Sequence, residues 1–572
     1  MSSILSIGYY FRSYGFACGV FLLLAFTSHA QETWEKEREG EIKDLEIEIT
    51  KERQLILPRA NRFFQKIPPR AYEPIVPAIT YDVKPFSYSA SNFVPAIRPL
   101  RIRQEELAKL YSNYVSGGIG NYTSFMVEGN VATKRDKKKM LGADFYWRSF
   151  GKGPVDGDHS ASSTTRFTLY GKTVTDAATL YGDLGYQNQR GYFYNYVSAT
   201  DVNRDKLKQV YERFGVNMTV ENTKRGDFNY RLQTGYSYLR DAYVSTEGEF
   251  SVLFKGERVL KGGNRILLNA DVFLINRKDS MYAQSRNLVR IQPAYEFNPM
   301  EKLTVTVGVN LAFTNEPGVD GGSMKVYPHV QGRYAASDRI FFYATLTGNM
   351  DKVNLHTLSA ENIWLNSNNL MLHTNRVFEL DGGLQTALGK KLSARVGASY
   401  ASLKNLYFYQ AVRDEFDLSG TTTGIDFQKF DLVYDKTTGR INPYAQINFA
   451  QSDVLDISLR MDYFNYQVDV VSYAWHRPTY RTDLRVQYAL FKKIYLQAGF
   501  ITQGGMKAME PGTGLIRTLD TAADLNFKAR YFFSKQLSGF VQMDNLLSNQ
   551  YPIYLGYPAR GFQALVGVSW SL

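Results

Sequence analysis

In KLTVTVGVNLAF (residues 302–313), Leu303, Val305, Val307, Val309, Leu311 and Phe313 share one parity. Thr304, Thr306, Gly308, Asn310 and Ala312 share the other. Strict alternation puts the two sets on opposite faces of an extended strand, because successive side chains of β-structure point to opposite sides. The same texture returns in Ile266–Leu274, Leu455–Tyr463 and Ile494–Phe500, and runs nearly without interruption from about Ala108. It makes the chain all-β. Alternation alone does not say where the apolar face points: a soluble sandwich turns it inward, a membrane barrel turns it to lipid.

The turns discriminate between these. Short polar turns lie near Lys137, Asp176, Arg225, Gly262, Pro299, Asp338, Gly389, Ser452, Lys492 and Lys535, mostly about 40 residues apart. That interval holds two long strands and one longer connection, the rhythm of a barrel with short turns at one end and long loops at the other. Ten such turns, with one strand before the first and one after the last, give about 22 strands. Phe297, Phe449, Phe491 and Phe533 stand at or just before a short turn, where an aromatic girdle would meet the membrane–water boundary. The fold predicted is therefore a transmembrane antiparallel β-barrel. Hydrocarbon tolerates no unpaired sheet edge, so the final stretch QALVGVSWSL is expected to pair with the first strand. Its closing face is formed by Phe562, Val566, Val568, Trp570 and Leu572.

The N-terminal region differs. Arg12, the apolar core Ala17–Phe26 and the small residues Ser28 and Ala30 read as a secretory signal over residues 1–30, cleaved between Ala30 and Gln31. Residues 31–103 begin highly charged and then become proline-dense, with eight of the chain's 18 prolines between Pro58 and Pro99. Proline fixes φ and removes a donor, so this segment is expected to be extended, lying in the periplasm or filling the lumen. The barrel is assigned to 104–572.

Composition removes several functions. The only cysteine, Cys18, falls in the signal, which excludes disulfides and thiolate sites from the exported chain. No apolar run there approaches the ~18 residues of a membrane helix. His159, His329, His356, His373 and His476 lack metal-ligand spacing, and GDHSAS (157–162) places His beside Ser only in a presumed loop. Neither an enzyme, a cofactor nor a metal site is expected. The net charge of +12 suits anionic lipid or an anionic ligand, and is also met by scattered loop and lumen charges; nucleic acid is a poor partner for an exported chain.

The stretch LSGFVQMDNLLSNQYPIYLGYPARGFQALVGVSWSL (Leu537–Leu572) resembles the end of TonB-dependent receptor barrels. The likeness lies in Asp544-Asn545-Leu546-Leu547, Tyr551, Gly556-Tyr557-Pro558, Arg560-Gly561 and the amphipathic last strand. The resemblance implies a 22-stranded outer-membrane barrel in a Gram-negative bacterium, with the N-terminus in the periplasm. That family carries an N-terminal plug domain; the short, proline-rich segment here implies that it is lost or reduced. Glu46, Ile47, Glu48, Ile49 and Thr50 (EIEIT) resemble the segment that contacts TonB.

Binding would fall to the long loops. Leu355–Asn375 combines Trp364 with Asn366, Asn368 and Asn369, which mark a ligand or partner contact or pack over the barrel mouth. The leading expectation is uptake or binding of an extracellular ligand, with outer-membrane lipid, the TonB complex and a surface lipoprotein as partners. The alternative is a non-transporting accessory subunit docked to other members of an outer-membrane assembly or secretion complex.

Overall fold

A computed structural model describes residues 113–572, apart from 134–135, 137, 198–201, 317–323, 390, 416–425, 452–453 and 492. The signal with Ala30 and Gln31, the proline-rich segment and Glu46–Thr50 lie outside the described residues.

Antiparallel strands follow one another in sequence order around a closed barrel, from Tyr114–Gly120 to Gln563–Ser571. Two short strands, Ala283–Ser285 and Asn465–Gln467, prolong their neighbours Leu288–Met300 and Leu455–Tyr463, so the wall has 22 staves. The last strand pairs with the first, Tyr114 opposite Ser571 and Gly120 opposite Leu565. Phe562 stands one residue before that strand, its N–H donating to Ser548 Oγ at 3.2 Å.

Each of the ten polar turns joins two staves at one rim, from the two-residue connection 301–302 to the longer 133–138. Leu260-Lys261-Gly262-Gly263-Asn264 shows why their chemistry is legible. Gly262 and Gly263 adopt φ of +90° and +83°, a tight reversal that side-chain-bearing residues resist.

The apolar face points outward. Val566 and Val568 are 56% and 59% exposed while Leu565 and Ser569 on the other parity are buried. In Leu303–Thr314 the exposed residues are Val307 and Val309, and the buried ones Thr306, Asn310, Ala312 and Thr314 on the other parity. A water-soluble fold would reverse this, so the medium around the wall is hydrocarbon. At the short-turn rim the band ends in exposed aromatics: Phe228, Tyr295, Phe491, Phe533 and Trp570. Tyr295 stacks on Phe297 at 5.6 Å.

Candidate ligand-facing mouth

The opposite rim carries the long connections, and they do not stand free in solvent. Loop 352–373 folds back onto inward-facing wall residues, where its short helix Leu355–Glu361 lies beside Tyr211, Arg213 and Leu239. Asn354 starts that helix by accepting from Thr357 N at 2.9 Å, and the buried Glu247 carboxylate accepts from Leu355 N at 2.9 Å. Two buried guanidiniums hold the rest of the loop. Arg277 donates to the Ser367 and Asn369 carbonyls at 2.8 and 2.6 Å. Arg286 pairs with Glu316 at 2.6 Å and donates to Val353 O at 3.1 Å.

A hairpin of Leu406–Glu415 and Asp426–Asp435, extended by Tyr196–Val197, covers the same opening. Asp435 fixes its base by accepting from Thr438 Oγ1 at 2.7 Å and from the backbone N–H groups of Asp469, Val470 and Val471. Burial pushes this carboxyl up, but those donors outweigh burial and hold it below the usual carboxylate range.

These loops share one core. Trp364 stacks on Tyr557, ring centroids 4.2 Å apart, and its Nε1 donates to Tyr192 O at 2.9 Å. Phe193, Leu365, Phe427 and Phe430 complete the cluster. Beside it, Glu361 accepts from the hydroxyls of Tyr407 and Tyr409, both at 2.9 Å, with Arg477 at 3.9 Å. Burial raises both phenols, which keeps them as donors. His476 Nδ1 lies 2.6 Å from Tyr409 O, and Leu555 N donates to Nε2 at 3.4 Å. Only the neutral Nδ1–H tautomer satisfies both contacts; burial lowers its pKa to about 4, and Arg477 adds to that.

Of the sequence-selected residues, Trp364, Asn366, Asn368 and Asn369 lie here, and each has an internal partner. Asn366 Nδ2 donates to Asp431 at 2.8 Å, Asn368 Oδ1 accepts from Ser280 Oγ at 2.7 Å, and Asn369 Oδ1 accepts from Leu432 N at 2.8 Å. Glu361, Tyr407, Tyr409, His476 and Arg477 were not singled out, because their loops carry no shared pattern in sequence. In the GDHSAS loop, His159 faces Val202 O at 3.1 Å while Ser160 bonds Val155 O, so the two side chains do not form a catalytic pair. Among the described residues no three His, Asp or Glu side chains converge as a metal site.

Below the mouth, the inner wall has a polar recess of ≈ 330 Å³ lined by Asp381, Arg395, Tyr444 and Arg460, among others. Tyr444 donates to Asp381 at 2.7 Å and Arg395 lies 4.2 Å over the Tyr343 ring. Such a wall offers hydrogen bonds to a polar solute.

The course of the chain matches solved outer-membrane receptors. The ferric-catecholate import receptor Fiu of E. coli K12 superposes with a TM-score of 0.60 at 10% identity, covering 81% of this chain and 82% of that one. The FrpB iron transporter of Neisseria meningitidis gives 0.61 at 9% identity, covering 82% of each chain. The siderophore receptor PirA of Pseudomonas aeruginosa gives 0.55 at 12% identity, covering 80% and 79%. The chain has the TonB-dependent receptor barrel fold. No protein-family model and no curated protein matches the sequence. In this barrel the described parts of loops 352–373 and 405–437 pack with residues 192–207 and Tyr557 into one layer.

Proposed function

We propose that the protein is an outer-membrane receptor that takes an extracellular ligand at the long-loop mouth and admits it to the lumen when the loop layer loosens. The long loops then face the exterior, and the short turns and the N-terminus face the periplasm. The observation that carries this reading is the Trp364–Tyr557 core, which draws loops from distant parts of the chain across the opening of a wide, polar-walled barrel. An open lumen of this width would leak solutes. Residues 31–103 are a second obstruction in this reading, and Glu46–Thr50 the segment that meets TonB. The solved structures that this chain resembles include a ferric-catecholate import receptor, a siderophore receptor and an iron transporter, which makes a ferric chelate the first ligand class to test.

The deciding experiment is accumulation of labelled ferric chelates by cells carrying the protein, with and without TonB. Accumulation that needs TonB and falls on deletion of Glu46–Thr50 supports the receptor. Stable co-purification of outer-membrane subunits with no chelate accumulation in either strain would support the accessory-subunit reading instead. A surface-lipoprotein gene beside this one favours nutrient capture. Planar-bilayer conductance should rise on deleting residues 31–103 if that segment blocks the lumen.

A further inference from the structure

Along the sequence, lysine and arginine look evenly spread. The barrel gathers many of them at one rim. Every short turn except 175–177 and 452–454 contains Lys or Arg. Lys261, Lys302, Arg339, Lys391, Lys493 and Lys535 are all exposed, each in a different turn, and Lys224 with Arg225 occupies another. Among the described residues none of these enters an ion pair. At the mouth several arginines are paired, Arg204 with Asp158 at 3.0 Å, Arg413 with Asp426 at 3.4 Å and Arg517 with Glu510 at 3.1 Å, while Lys152, Lys206 and Lys436 stand exposed there too.

The short-turn cations stand directly beyond the aromatic edge of the lipid-facing band, with Glu301, Asp338 and Asp227 in three of the same turns. Phe491, 83% exposed, is two residues from Lys493, and Phe533, 62% exposed, is two from Lys535. Exposed Tyr334 and Phe342 flank the turn of Arg339, and Phe228 follows that of Arg225. Aromatic rings settle at the headgroup boundary, so ammonium groups one step outward lie at the level of lipid phosphates. The distribution also argues against a globular acidic partner, which would touch one arc. A lipid leaflet meets the whole perimeter, and the turns carry charge around nearly all of it.

We propose that the short-turn rim is a lipid-binding collar selective for anionic glycerophospholipids, with Lys261, Lys302, Lys391, Lys493 and Lys535 facing the headgroup phosphates. The proposal rests on the lipid-facing band and is independent of ligand uptake.

The test uses the full chain, delipidated in neutral detergent and exposed to mixed micelles of phosphatidylglycerol and phosphatidylcholine, with retained lipid counted by native mass spectrometry. Phosphatidylglycerol should be retained in preference, and the preference should fade between about 0.05 M and about 0.5 M salt. Neutralising all five lysines (K261Q, K302Q, K391Q, K493Q, K535Q) should lower the retained ratio about fivefold or more. Arginine at the same positions should restore it. Heat-modifiable gel migration checks that each variant still forms the barrel. A matched variant at the other rim, K152Q with K206Q and K436Q, should leave the ratio unchanged. Equal retention of both lipids by the wild-type chain would overturn the proposal. So would an equal loss in the other-rim variant, or displacement of the lipid by glycerol phosphate, which would make the collar a site for free phosphate.

Discussion

Trp364 and Tyr557, far apart in sequence, lie ring on ring at 4.2 Å with their planes 21° apart, and both are buried. The contact joins the loop after one barrel strand to the loop before the last, so the mouth has a single packed layer. Replacing Trp364 by Ala removes that stack and the hydrogen bond to Tyr192 O, at a cost of about 3–5 kcal/mol typical of a buried large aromatic. Because the wall keeps its own ladder, the loss should stay local. Limited proteolysis should cut loops 352–373 and 405–437 faster in Trp364→Ala, while heat-modifiable migration of the barrel is unchanged.

His476 gives the layer a pH dependence. Its folded pKa of about 4 lies below the ordinary histidine value of 6.5, so the released loop binds the proton more readily than the packed one. The stabilisation is fully present above about pH 6.5, falls as pH drops towards 4, and totals about 3 kcal/mol. Hydrogen-exchange protection of residues 464–479, taken relative to the intrinsic rate at each pH, should fall across that window. The ring packs against Phe430 and Tyr554 and on the Tyr409 carbonyl, with Arg477 beside it and the Glu361 carboxylate 3.9 Å from Arg477. His476→Gln should flatten this part of the profile, and a slope unchanged in that variant would assign the effect to another group.

Arg286 and Glu316 are about 99% buried and meet at 2.6 Å, with His373 N also donating to the carboxylate at 2.8 Å. Removing one partner strands the other charge, which costs about 3–5 kcal/mol. Arg286→Leu should release loop 352–373 to protease, and Arg286→Leu with Glu316→Leu should recover much of the loss. A double variant no better than the single one would show that the Val353 and His373 contacts dominate instead.

The barrel seam tolerates little bulk. At Gly567 a Cβ would collide with the Gly117 carbonyl oxygen across the seam and with the Phe540 ring. Gly567→Val should force the first and last strands apart and abolish heat-modifiable migration, beyond the usual overpacking cost of about 1–3 kcal/mol.

The preceding residue, Val566, points to the opposite face of the strand, towards lipid. Arginine there should lower the stability of the chain folded into vesicles by about 2–4 kcal/mol, as measured by urea unfolding. Little effect would mean that water, not hydrocarbon, surrounds the wall.

Much of the barrel was legible in the amino-acid order. Alternation in Leu303–Thr314 and the polar turns at Lys261–Asn264 or Glu301–Lys302 are local signals, readable because strand period and turn chemistry depend on neighbouring residues only. Turn spacing therefore returned the number of staves. The meeting of Trp364 with Tyr557 and the enclosure of His476 by Tyr409, Phe430 and Tyr554 follow from contacts between residues far apart in the chain. No periodicity records such contacts. Only barrel closure, which fixes which connections share an end, decided them.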